Sequence, residues 1–99
     1  MFNNNRYVTK GVTSTIPEFL QSILWYAIDT MPITKKDYLQ IFELSPTIND
    51  GVQKQKIIHI QEQPAYRKDF IITTKECITT KVYVIDEGTH CIMLLANEY

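Results

Sequence analysis

Between Thr15 and Met31 the apolar residues recur at helical spacing, and beyond Pro32 they alternate with polar ones. A chain with that switch of period, from 3.6 to 2, is restricted to helix-on-sheet arrangements. Thr15-Ile16-Pro17-Glu18 fits a capping box, in which the Thr15 hydroxyl accepts from the Glu18 N–H and the Glu18 side chain reaches back. Pro17 is tolerated in a first turn, where its missing N–H would lack a partner anyway. Pro32 pushes the preceding residue out of helical geometry. The expected helix therefore spans about 15–31. At 100° per residue, Ile16, Leu20, Ile23, Leu24, Ala27 and Met31 form one stripe, with Phe19, Tyr26 and Ile28 on its shoulders. Glu18, Gln21, Ser22 and Asp29 fall opposite, and Trp25 falls among them.

Strands are expected over Arg6–Val12, Tyr38–Leu44, Lys54–Gln63, Asp69–Thr74, Lys81–Ile85 and Cys91–Ala96. Asn49-Asp50-Gly51 and Asp86-Glu87-Gly88-Thr89 are turns of residues that accept left-handed backbone. A helix followed by strands on short turns is α+β. The reading is one domain over 1–99, with the amphipathic helix packed on a mostly antiparallel sheet of five to six strands. Only the first strand is followed by a crossover long enough for parallel pairing.

The 44% apolar and 21% charged residues argue against disorder. A net charge of −1 gives DNA or an anionic membrane little to steer toward. No C-x-x-C pair joins Cys77 to Cys91, and no basic-then-apolar leader or membrane-length apolar run occurs. A cytoplasmic protein with reduced thiols and no cofactor, metal or membrane contact is expected.

RYVTKGV, IPEFLQSILWYAID, QKIIHIQEQPAYRKDF and the closing LLANEY resemble a family of small proteins from Gram-positive bacteria and their phages, the domain-of-unknown-function family nine-sixty. The likeness covers nearly the whole chain. It implies an intracellular bacterial protein and carries over no catalytic residue, ligand or partner.

No pattern of residues gives a catalytic site. His59 shares a strand face with Gln55, Ile57 and Gln61, a half-solvated setting, and His90 lies on another strand. Brought together, the two could serve a minor enzyme or metal protein, but no local spacing supplies a ligand pair. His90 points away from its neighbour Cys91 on a strand. Tyr66-Arg67-Lys68 is the nearest approach to a nucleic-acid patch, since aromatics stack bases and cations hold phosphates. Trp25, rimmed by Gln21, Ser22 and Asp29, is the leading candidate for a partner-binding face, because tryptophan dominates many interfaces. The expected function is a non-enzymatic protein-interaction module. Its partner is another protein or a second copy, docked on that face or on a sheet edge such as KQKIIHIQEQ.

Overall fold

The computed structural model describes every residue from Met1 to Tyr99. Strand β1 (Asn5–Val8) leads into helix α1 (Lys10–Thr15) and helix α2 (Glu18–Asp29). Five strands follow: β2 (Leu39–Asn49), β3 (Val52–Gln61), β4 (Tyr66–Ile72), β5 (Thr80–Asp86) and β6 (His90–Leu95), and a short 3₁₀ turn covers Ala96–Glu98. They form one six-stranded sheet in the order β1-β6-β5-β2-β3-β4. β1 runs parallel to β6, and every other pairing is antiparallel. The fold is α+β, as the change of period predicts.

The start of the chain differs from expectation. The expected first strand ends early, at Val8, because the Thr9 hydroxyl accepts from the Val12 N–H at 3.2 Å and caps α1. Val12 then enters the core. Thr15 closes α1 instead of opening α2, whose cap position is Pro17 with no side-chain bond. The capping box is therefore absent.

Leu20, Leu24 and Ile28 of α2 are buried against Phe42, Leu44, Ile57, Val82, Val84 and Met93. Each such side chain contributes roughly 1.5–3 kcal/mol of transfer free energy. Ile28 sits at the centre of the buried stripe rather than on its shoulder, while Phe19 and Tyr26 are exposed. The β2–β3 hairpin turns on Asp50 and Gly51, at φ of 53° and 75°. Two successive positive angles are what a two-residue turn between twisted strands needs. β2 extends through Pro46 because its outer half pairs with β3 alone, and a one-sided strand accepts proline.

Candidate functional site

Residues paired across neighbouring strands share a face of the sheet, so the register sorts the side chains into two sets. The inner face, beneath the helices, carries Phe42, Ile57, Val82 and Val84, and also Gln40, Gln55, His59 and Gln61, all buried. Polar groups survive burial only when bonded, and these are. Gln40 Nε2 donates to Gln61 Oε1 at 2.7 Å and to the Asp37 carbonyl at 3.0 Å. Gln61 Oε1 also accepts from the Asp37 N–H, and its Nε2 donates to the carbonyls of Pro64 and Lys35. His59 Nε2 lies 2.7 Å from Gln40 Oε1. Gln55 exchanges bonds with the Ile78 backbone, which fixes the crossing from β4 to β5. The half-solvated setting expected for His59 is thus corrected: it is 1% exposed. Burial, reinforced by the charge of Lys68, holds its pKa down at about 4.

α2 does not reach the far edge of the sheet. Between it and β4 lies a cavity of about 310 Å³, floored by His59 and walled by Ile23, Ala27, Phe70 and Ile72. Tyr66 and Lys68 of β4 line it too. The His59 ring stacks on Phe42 at 4.4 Å and meets Tyr66 edge-on at 5.4 Å.

The outer face has no helix. One row across it reads Leu94, Tyr83, Ile41, Ile60 and Arg67, and the next holds Ile92, Ile85 and Leu39. Ile58 lies beside Ile60's row, between Glu43 and Asp69. The C-terminal Tyr99 ring meets Tyr83 edge-on at 5.3 Å. Charges of both signs stand on this face: Glu43 is opposite Lys81 in the register, and Asp69 binds Arg67 and lies 3.9 Å from Lys56.

The residues singled out from the sequence are distributed differently from expectation. Trp25 is half-buried against the core. Its ring is covered by the Arg6 guanidinium, 4.8 Å from the centroid, which Asp29 holds from the other side. Gln21 donates to the Ile16 carbonyl at 2.8 Å, and Ser22 is exposed. The indole is therefore partly covered, and Gln21 and Asp29 of its rim are committed to internal bonds. Tyr66 and Lys68 face the cavity while Arg67 points to the outer face, so the three do not form one nucleic-acid patch. His59 and His90 lie on opposite faces, three strands apart, about 14 Å at the usual strand spacing. A site shared between them is excluded. The KQKIIHIQEQ strand, β3, is interior; the edges are β1 and β4.

Sequence reasoning missed the outer face, although KVYVI and CIMLL carried the signal. Strands with one wet face alternate, whereas near-continuous apolar runs announce strands apolar on both faces.

A family model described as staphylococcal protein of unknown function (DUF960) matches residues 5–98. A crystal structure of a protein of unknown function from Enterococcus faecalis is similar, with 23% identity and a TM-score of 0.78 over 98% of this chain and 92% of that one. That likeness shows the fold. No curated protein matches. No helix is long and apolar enough to cross a membrane.

Proposed function

The chain belongs to the DUF960 family of staphylococcal proteins of unknown function, and for this member we propose a non-enzymatic interaction module that pairs with a second copy of itself, outer sheet face to outer sheet face. The observation that carries this reading is the apolar block of Leu39, Ile41, Ile58, Ile60, Tyr83, Ile85, Ile92 and Leu94, over which no helix lies; Ile41, Ile85 and Leu94 are nearly enclosed by their neighbours and the other five are half-buried. The eight side chains stand on four adjacent strands, a patch about 19 Å across whose third row holds Ile58 between charged neighbours. Apolar patches of that size on a monomer commonly mark a contact surface. A standard interface takes about 800 Å² from each partner, so the block supplies an apolar centre and the strand ends a polar rim.

Charge supports a second copy as the occupant. Because Asp69 is held by Arg67 and Lys56 while Glu43 stands opposite Lys81, the face carries charges of both signs and asks for no strongly charged partner. A like face satisfies it. The Trp25 surface supports docking less well, since Arg6 already covers the ring and Asp29 holds Arg6. No nucleophile neighbours His59; its partners are Gln40, Phe42 and Tyr66.

Sedimentation equilibrium tests the reading. The expected result is a dimer at about 100 μM, converted to a monomer of unchanged secondary structure by Ile60→Lys, a half-buried position on the β3 side of the block. A monomeric wild type at that concentration, or a dimer that survives the lysine, would overturn it.

A further inference from the structure

The cavity between α2 and β4 ends on a hydrogen-bond acceptor that the chain leaves unused. Both protons of the Gln40 amide nitrogen are spent, on the Asp37 carbonyl and on Gln61 Oε1. Gln40 Oε1 can then only accept, so His59 Nε2 carries the ring proton and Nδ1 of the neutral ring holds a bare lone pair. Every fully enclosed side-chain polar atom has a partner, and no donor of the chain reaches Nδ1. That nitrogen therefore opens into the cavity His59 floors.

Two further features give the site a direction. The faces and edges of His59, Tyr66 and Phe70 suit a flat, aromatic body. Lys68 stands directly across from His59 on β4 and forms no ion pair. It is the sole charged residue lining the space. A volume of about 310 Å³ lies at the small end of ligand sites, enough for one ring and a short tail. A duplex or a folded partner would not enter it.

We propose that this cavity binds a small phenolic acid: its ring lies between Ile23, Ala27 and Phe70, its hydroxyl donates to His59 Nδ1, and its carboxylate meets Lys68. At neutral pH the acceptor is always available, because burial keeps the imidazole uncharged. The site is on the inner face, so it does not depend on pairing through the outer one.

Calorimetric titration with three probes tests it: 3-(4-hydroxyphenyl)propionate, 3-phenylpropionate and 3-(4-hydroxyphenyl)propan-1-ol. The phenolic acid should saturate with a dissociation constant below about 1 mM. Removing its hydroxyl leaves a buried acceptor empty and should weaken binding about tenfold or more. Removing its charge should weaken it about threefold, and Lys68→Met should bring the acid down to the alcohol. Ala27→Phe should close the cavity and abolish binding, whereas the monomeric Ile60→Lys protein should bind as wild type does. No saturation by the phenolic acid, equal affinity for the first two probes, or indifference to Lys68→Met would each overturn the assignment.

Discussion

The face of the sheet under α2 buries three glutamines and a histidine, while the face with no helix carries isoleucine, leucine and tyrosine. The usual distribution puts polar groups on the wet side. Here the helix explains the inversion. α2 covers Phe42, Val82, Val84 and Met93 with Leu20, Leu24 and Ile28, but it is only 12 residues long. Beyond it the inner face is closed by connections, which expose backbone carbonyls and N–H groups that need partners. Gln40 and Gln61 serve the Lys35–Asp37 connection, and Gln55 serves Ile78. Polarity inside the molecule tracks loop backbone, and apolarity outside tracks the missing second layer.

This contrast makes graded predictions. The largest loss should follow Phe42→Ala, which empties the fully buried contact between helix stripe and His59. Urea unfolding should show a cost of about 3–5 kcal/mol; the same truncation at Ile60, half-buried on the outer face, should cost the monomer far less. Next comes Gln61→Leu, which strands the Gln40 amide and the Asp37 N–H. A loss of about 2–3 kcal/mol is expected, and a neutral result would mean the inner polar set is dispensable. Acid should act through the same face. His59 has a folded pKa of about 4 against an unfolded value of about 6.5, so the unfolded chain takes up the proton first. Stability is then complete above pH 6.5 and lost as pH falls toward 4. Between pH 6.5 and 5 the loss should be about 1.5 kcal/mol, and His59→Asn should flatten that stretch of the unfolding profile. The smallest effect is expected for Arg6→Ala, about 1 kcal/mol from an exposed ion pair and a cation–π contact. It should also red-shift Trp25 fluorescence as the indole meets water.

The sequence made the helix stripe legible because Leu20, Leu24 and Met31 answer to one local period. It likewise showed the turn at Asp50-Gly51, the closing β5–β6 hairpin and the parallel option for the first strand. What it hid depends on residues far apart along the chain. Helix α1, six residues with three threonine or valine positions, has little intrinsic tendency to form. It is held by Val12 in the core and by Glu98, whose Oε1 accepts from the Thr9 hydroxyl at 2.7 Å. The carboxylate lies close over Gly11: a Cβ there would sit 2.6 Å from a Glu98 oxygen and would push that side chain aside. His59 read as a surface residue because Gln40 and the α2 wall of the cavity that enclose it lie 19 or more positions away. Trp25 read as free because nothing near it in sequence announces Arg6.

β1 pairs with β6 alone, and Phe2, Asn4 and Thr9 bond to Asp86, Gly88 and Glu98 across 84 to 89 positions. Those bonds place the first and last parts of the chain side by side. β5 must slot between β2 and a strand that has not yet been made when β2–β4 are complete. A growing chain can therefore close the β2–β3–β4 meander early, yet its N-terminal strand has no neighbour until residue 90 has emerged. Such distant pairings slow folding, because loop entropy is lost before contacts return it. Until β6 is in place the apolar side chains of α2 and the buried Phe2 lack part of their seat, so the partly folded chain presents apolar surface that the finished sheet hides.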